Sequence, residues 1–125
     1  MPVRPEYDSA FPSQQRIADA LLVYIRTNGG RDAMVSCDET YGPLADLFGL
    51  SPQLRRLTRS EYYENDTHSG LAWPNLVQWG RRQLKDQGCL APSAHGTWRL
   101  SESGMHAADR HVSGRRQRAR PMSDR

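Results

Sequence analysis

The sequence predicts a mainly α-helical fold that carries one small β-hairpin. Two stretches, near residues 13–27 and 72–87, repeat apolar residues at the spacing of an amphipathic helix. Two short β-prone segments, 89–91 and 97–100, flank a Pro-to-Gly turn and show the alternation of a hairpin. A chain of 125 residues is expected to form a single domain with a modest core.

The chain is predicted to divide into three segments. Residues 1–10 form an irregular lead-in with two prolines, residues 11–112 the domain, and residues 113–125 a basic tail that is predicted to be disordered. No apolar run approaches the ~18 residues of a membrane span, and the N-terminus lacks the apolar segment of a signal peptide. We therefore expect no membrane partner and a cytoplasmic location.

The first helix is predicted to begin at Pro12 or Ser13 and to end near Thr27, before two glycines. Leu22 and Val23 lie outside its core stripe, so the helix carries more apolar surface than one packing face requires. The lead-in and a partner protein are both candidates to cover that excess. The core stripe consists of Ile17, Ala20, Leu21, Tyr24 and Ile25.

A short strand at residues 33–35 and a second helix are predicted next. Ser36 and Glu39 match a capping box, in which each side chain satisfies a free backbone N–H of the other residue. The helix then covers residues 37–48, or begins only at Gly42-Pro43, because a proline inside a helix removes a hydrogen bond. The inward side chains are predicted to be Leu44, Leu47 and Phe48.

Residues 51–57 predict a further short helix, and residues 58–70 a polar, irregular loop. Pro52 occupies the favoured first helical position, with Leu54 and Leu57 as apolar anchors. The carboxylates of the loop match no Ca²⁺-binding spacing, which favours a solvated loop over a metal or general-base site. Two adjacent tyrosines are expected to attach the loop to the core. These loop residues are Glu61, Tyr62, Tyr63, Glu64 and Asp66.

The helix over residues 72–87 has one apolar side and one side rich in amides and cations. Amide side chains can make two hydrogen bonds to adenine, whereas Arg and Lys bond guanine or phosphate. An ordinary solvated helix face is the alternative interpretation. Trp79 lies beside the apolar stripe and is expected to pack in the core. The apolar side consists of Trp73, Leu76, Val77, Gly80 and Leu84. The candidate base contacts are Asn75 and Gln78, and the candidate phosphate or base contacts are Arg81, Arg82 and Lys85.

The hairpin and the tail are predicted to add contacts to a nucleic-acid backbone. Alternation places Trp98 and Leu100 on the core side of the hairpin and Arg99 on the other side. The net charge is +3, yet residues 1–70 hold seven Lys and Arg against ten Asp and Glu, whereas residues 71–125 hold ten against four. This asymmetry indicates an acidic partner for the second half, most simply a phosphate backbone. The candidate backbone contacts are His95, Arg99, Arg115, Arg116 and Arg118.

The predicted elements follow one another as helix, strand, helix, helix, hairpin and a last helix over residues 101–111. That order is typical of a winged helix-turn-helix, in which the helix before the hairpin enters the major groove and the hairpin lies along the neighbouring backbone. The corresponding elements are the helix over residues 72–87 and a wing over residues 89–100.

Segments 73–90 and 96–104 read Trp-x-Asn-x-Val-x-Trp-x-Arg-x-x-Leu-Lys-x-x-Gly-x-Leu and Gly-x-Trp-x-Leu-Ser-Glu-x-Gly. This pattern resembles the N-terminal domain of Mrr-type restriction endonucleases, and the likeness extends by element order over residues 7–110. The resemblance implies a DNA-binding winged helix that guides an attached nuclease, often one that acts on modified DNA. For this chain we expect no attached nuclease domain. Gly80 stands where the family tends to have a small helix-former such as alanine, and it either weakens the helix or permits close packing of another element. The residues that match are Asn75, Val77, Trp79, Arg81, Leu84, Lys85, Gly88, Leu90, Gly96, Trp98, Leu100, Glu102 and Gly104.

The predicted function is that of a non-enzymatic protein that binds double-stranded DNA and uses no cofactor. Recognition of modified DNA and regulation of transcription both remain open as its role. The alternative is a protein–protein adaptor on the same scaffold, acting as a homodimer or with a separately encoded partner. Four histidines and the isolated Cys37 and Cys89 show no spacing typical of a metal site or of an activated nucleophile.

Overall fold

The structure, a computed structural model, describes residues 2–119, with side chains through residue 114. It is mainly helical, as the sequence predicts, and the predicted hairpin is part of an antiparallel sheet of three strands. The helices are α1 (Gln14–Asn28), α2 (Tyr41–Leu47), α3 (Pro52–Arg56), α4 (Arg59–Tyr62), α5 (Ala72–Asp86) and α6 (Glu102–Ala119). The strands are β1 (Met34–Ser36), β2 (Leu90–Ala91) and β3 (Thr97–Leu100). None of the helices in this part of the chain has the length and apolar content that crossing a bilayer requires.

The sheet joins the predicted hairpin to a strand from earlier in the chain. β3 lies in the middle, antiparallel to β2 on one side and to β1 on the other. Val35 of β1 pairs with Trp98, and Leu90 of β2 pairs with Leu100. The hairpin is confirmed, and the strand predicted at residues 33–35 forms one residue later. Because β1 leads directly towards α2, its pairing with β3 fixes the hairpin relative to the helices.

α1 is the central helix and packs against both α5 and α6. Its predicted start is confirmed, since the Arg16 N–H donates a hydrogen bond of 3.2 Å to the Ser13 hydroxyl. The helix meets α5 at Gly80, where an added Cβ would lie 3.0 Å from Cγ2 of Ile17 and 3.3 Å from the Ala18 nitrogen. Gly80 therefore permits close packing of the two helices.

The expected excess of apolar surface on α1 is wrong at Leu22. This side chain is 2 % exposed and belongs to the core, while Val23 is half-buried. The sequence-based expectation counted one packing face, whereas α6 covers α1 in addition to α5. Leu22 therefore needs no outside partner to cover it.

The segment before α2 forms a 3₁₀ turn, Cys37–Thr40, so α2 begins at Tyr41. The capping box is confirmed, and the Ser36 N–H donates to the Glu39 carboxylate at 3.0 Å. Leu44 is buried as predicted, but Leu47 is 57 % exposed, which corrects its predicted inward position. The core side of this short helix lies between Leu44 and its neighbour Ala45. At about 100° per residue, Leu47 falls well to one side of that direction.

The segment after α2 is more ordered than the sequence predicts. α3 forms after Ser51 as expected, and α4 occupies part of the loop predicted to be irregular. A second capping box, between Thr58 and Glu61, begins α4. Tyr62 is buried against Phe11, with ring centroids 5.1 Å apart in an edge-on arrangement, so the tyrosines do attach this segment to the core.

The lead-in is held against α4 rather than remaining independent. A 3₁₀ turn covers Pro5–Tyr7, and Val3 forms an antiparallel bridge with Tyr63. The Arg4 N–H donates to the Tyr62 carbonyl at 2.9 Å. The irregular lead-in predicted for residues 1–10 is therefore part of the folded body from residue 2 onwards, because its backbone groups pair with α4.

Asp66 gives the segment around α4 a defined dependence on pH. Its carboxylate accepts hydrogen bonds from the His68 N–H at 2.8 Å and the Arg59 guanidinium at 2.9 Å, which hold its pKa below the usual range. A depressed pKa contributes stability that is present above the unfolded pKa, about 3.9, and is lost as the pH falls through the folded pKa. We expect Asp66→Asn to lower Tm at pH 7 and the difference from wild type to vanish in strong acid.

Thermal melts between pH 7 and pH 2 check this expectation, with Asp46→Asn as the matched control. Asp46 also pairs with an arginine, Arg55 at 2.7 Å, but its side chain is 71 % exposed, whereas that of Asp66 is 7 % exposed. Because exposed pairs are screened by water, the control should change Tm less. A constant Tm difference for Asp66→Asn across the whole pH range would contradict this account.

α6 begins at Glu102 but continues to Ala119, past the predicted end near residue 111. Arg26 of α1 pairs with Asp109 at 3.0 Å, and Ala108 is fully buried. No proline stands between Glu102 and Ala119, so every residue of α6 has the backbone N–H that a helix uses. The structure thus gives residues 113–119 a helical backbone where the sequence predicts a disordered tail, and residues 120–125 lie outside the described residues.

Candidate nucleic-acid interface

A groove of about 660 Å³ runs between α5 and the β2–β3 hairpin. One wall is α5, and the other is formed by both strands and the hairpin turn, residues 90–99. The groove brings together side chains that are distant in sequence but were each predicted to contact nucleic acid. These residues are Gln78, Arg81, Lys85, His95 and Arg99.

The position of α5 is fixed by its apolar side. Trp73, Val77 and Leu84 are buried, as the helical spacing predicts. The indole Nε1 of Trp73 donates to the Tyr41 carbonyl at 2.9 Å, which ties the start of α5 to the start of α2. Gly88 then leaves the helix with a φ of +77°, a conformation that suits glycine, and leads the chain into the hairpin.

Gln78 lies on the groove side of α5 and is oriented by Tyr41. Its Nε2 donates to the Tyr41 hydroxyl at 3.1 Å. Burial, chiefly, raises the pKa of Tyr41, so its hydroxyl stays protonated at neutral pH. One amide N–H of Gln78 is used in this bond, while the second N–H and the carbonyl oxygen remain to contact a ligand. Tyr41 therefore positions a candidate base contact, a role that sequence reasoning missed.

The hairpin turn is held in place by its own polar groups. The Thr97 hydroxyl donates to the Ala94 carbonyl at 2.6 Å, and the Ser93 hydroxyl donates to the Thr97 carbonyl at 2.9 Å. The Cys37 N–H donates to the Gly96 carbonyl at 2.9 Å, which links the turn to the segment before α2. The turn therefore meets a ligand with a defined shape and exposes His95 at its tip.

The groove is positively charged in the part of the chain that the structure describes. Its lining includes Arg81, Lys85 and Arg99 but no carboxylate. The ion pairs found among residues 2–114 involve none of these three cations. Three cations without a protein counter-charge attract a polyanion, and their side chains can bond phosphate oxygens.

Two further candidates on α5 lie outside the groove. Arg82 pairs with Asp86 at 3.4 Å, and both side chains are largely exposed. Asn75 is half-buried in the first turn of α5 and does not line the groove. On the helical wheel both project away from the core, on the side between the groove and Trp79. The candidates Arg115, Arg116 and Arg118 lie in α6, but their side chains are outside the described residues.

Comparisons with protein-family models, with curated proteins and with solved structures each find no match to this chain. The resemblance to the N-terminal domain of Mrr-type endonucleases therefore remains a prediction. The local chemistry of the chain is the remaining guide to function.

Neither a group of metal ligands nor an activated thiol is found among the described residues. No three His, Cys, Asp or Glu side chains among residues 2–114 come together as a metal ion would require. The Cys37 thiol borders the groove, but burial and the neighbouring Asp38 raise its pKa, which keeps it protonated at neutral pH. Cys89 is buried and also free of a disulfide.

The expectation that Trp79 packs in the core is wrong. Its side chain is 50 % exposed, although it lies next to the buried Gly80 and one helical turn from the half-buried Leu76. The helical wheel placed it at the border of the apolar stripe, where exposure depends on the neighbouring helix. α1 crosses α5 at Gly80, in the middle of the stripe, and leaves half of Trp79 exposed.

Proposed function

We propose that this protein binds duplex DNA as a winged helix-turn-helix. The order α1, β1, α2, α5, β2, β3 agrees with that fold, with β1 completing the sheet and α3 and α4 inserted before α5. In such a protein α5 lies in the major groove and the hairpin contacts the neighbouring backbone. The proposal does not require a cofactor or catalysis.

The observation that carries the proposal is the cationic groove between α5 and the hairpin. Arg81, Lys85 and Arg99 line it together with the oriented amide of Gln78. Phosphate contacts by the cations set the register of a protein on the duplex, whereas amides are suited to base edges. The groove thus combines both kinds of contact within one surface.

The binding should weaken steeply with salt, because each neutralised phosphate releases condensed counterions. Three groove cations predict a slope of log K against log salt of about −2.7 or steeper. Fluorescence anisotropy with a labelled duplex at several salt concentrations measures this slope directly. Affinity that does not change with salt, or no binding at low salt, would refute the proposal.

The adaptor alternative has lost part of its support. It rested on excess apolar surface of α1, and Leu22 is buried by the chain itself. The acidic balance of residues 1–70 remains in its favour. Size-exclusion chromatography with light scattering separates the two functions, because a salt-resistant oligomer that does not shift DNA is expected of an adaptor alone.

The proposal leaves two biological roles open. A reader of modified DNA and a regulator of transcription would both use the same groove. Selection of bound sequences from an unmodified random duplex pool, in parallel with a cytosine-modified pool, distinguishes them. Enrichment restricted to the modified pool would favour the reader of modified DNA.

A further inference from the structure

Trp79 presents an indole ring to solvent from the middle of α5. The chain has three tryptophans, five tyrosines and two phenylalanines, all within the described residues. Trp79 is the only one of these ten aromatic residues that is largely exposed. Half of its side chain is open to water, so its packing against the core uses only part of the ring. A single exposed apolar side chain is common on protein surfaces, so its neighbours decide whether it can bind something.

Those neighbours include Asn75 and Arg82, the two candidate base or phosphate contacts of α5 that lie beside the groove. Asn75 precedes Trp79 by one helical turn and Arg82 follows it by one, so the three share a side of α5. On the helical wheel they fall within about 60° of one another and opposite the core positions Val77 and Leu84. The ring therefore projects between two groups that can bond base edges.

Beside Trp79, hydrogen bonds between amide side chains join α5 to the start of α1. The Gln14 side chain donates to Gln83 at 2.8 Å, and the Gln83 amide donates in turn to Gln15. Gln83 lies one turn after Trp79, and its side chain is engaged with the start of α1. These bonds hold the N-terminal turn of α1 against α5, so α1 cannot slide over the indole without breaking them.

We propose that Trp79 recognises the C5-methyl group of a pyrimidine in the major groove, an inference that rests on the proposed DNA-binding function. The C5-methyl group of thymine is the apolar group that base edges present there, and apolar side chains contact it. 5-Methylcytosine carries the same group at the same ring position. Trp79 is thus a specificity-determining residue, flanked by Asn75 and Arg82 as polar base contacts.

The test begins with sequences selected by the wild-type protein from two random duplex pools, one unmodified and one with 5-methylcytosine. Each thymine of the best unmodified site is then replaced by deoxyuridine, which removes only the methyl group. We expect about a fourfold loss of affinity at one position, as for the burial of one methyl group.

Trp79→Ala should lose this discrimination while keeping the salt slope, because no charge is removed. Trp79→Phe should keep part of the discrimination.

The two methyl sources are separated by placing cytosine or 5-methylcytosine at the sensitive position. Tighter binding of the 5-methylcytosine–guanine pair than of the cytosine–guanine pair shows that the methyl group is recognised on either pyrimidine, whereas equal binding of the two shows that only the methyl group of thymine is recognised. A wild-type protein that binds no duplex would overturn the proposed function and this inference together. Binding with no sensitivity to deoxyuridine, or equal sensitivity in Trp79→Ala, would overturn the role of Trp79 and leave the proposed function standing.

Discussion

Reversing the charges of Arg81 and Lys85 together, as Arg81→Glu with Lys85→Glu, is expected to lower the affinity for duplex DNA at least about 100-fold. Both side chains line the groove, and both lack an ion-pair partner among the described residues. The double variant removes two phosphate contacts and adds two repulsive charges on the same side of α5. Anisotropy titrations at constant salt measure the loss, and the salt slope should become shallower.

Two controls make this result specific to the groove. Arg31→Glu with Arg110→Glu changes the net charge equally, but neither residue lines the groove, so affinity should fall much less. Asp86→Asn should bind more tightly than wild type, because it removes a repulsive charge and releases Arg82 from its 3.4 Å ion pair. Equal losses for the two double variants would mean that net charge, and not the groove, governs binding.

Gly104→Ala is expected to destabilise the fold by about 3 kcal/mol, at the upper end of the usual cost of overpacking. A Cβ at this position in α6 would lie 2.1 Å from the Cys89 carbonyl oxygen. That oxygen accepts a hydrogen bond of 2.8 Å from the Ser101 N–H, so moving it disturbs the junction of α5, the hairpin and α6. Thermal unfolding followed by circular dichroism should show Tm lowered by about 10 °C.

Gly42→Ala is the matched control for this variant. Gly42 also lies in a helix, but no heavy atom surrounds the place where its Cβ would go. Alanine favours helix over glycine, but a residue with a Cβ is disfavoured in helical backbone before Pro43, so the free energy of unfolding should change by less than about 1 kcal/mol. A small effect of Gly104→Ala, similar to that of Gly42→Ala, would contradict the close approach of α6 to Cys89.

The sequence predicted those helices and turns that are marked by the spacing of neighbouring residues. α1 and α5 follow from apolar residues on one side of a helix, and the turn at Ser36 follows from a capping box. α4 was missed because it has four residues and no periodicity. The spacing of Thr58 and Glu61 matches its capping box and was a local signal for α4, whereas the hydrogen bond of 2.8 Å from the Arg59 N–H to the Gly70 carbonyl could not be predicted locally.

The residues of the candidate site could be predicted from the sequence, but their positions relative to one another could not. Each groove cation could be named from its place on a helix or strand, yet only the folded chain brings Arg81 and Lys85 opposite Arg99. The separation of Arg82 from the groove likewise depends on where the hairpin packs. The exposure of Trp79 depends on the point at which α1 crosses α5, which the sequence of α5 alone does not determine.

In the proposed complex α5 lies in the major groove of duplex DNA, and part of the DNA backbone lies in the groove between α5 and the hairpin. NMR titration of the ¹⁵N-labelled protein with a short duplex tests it most directly, because every backbone amide other than those of proline reports its own surroundings. We expect the largest shift changes along the exposed side of α5, from Asn75 to Lys85, and at residues 93–99, with small changes around α4 and the lead-in. The largest changes on the α4 side, or no change at low salt, would contradict it.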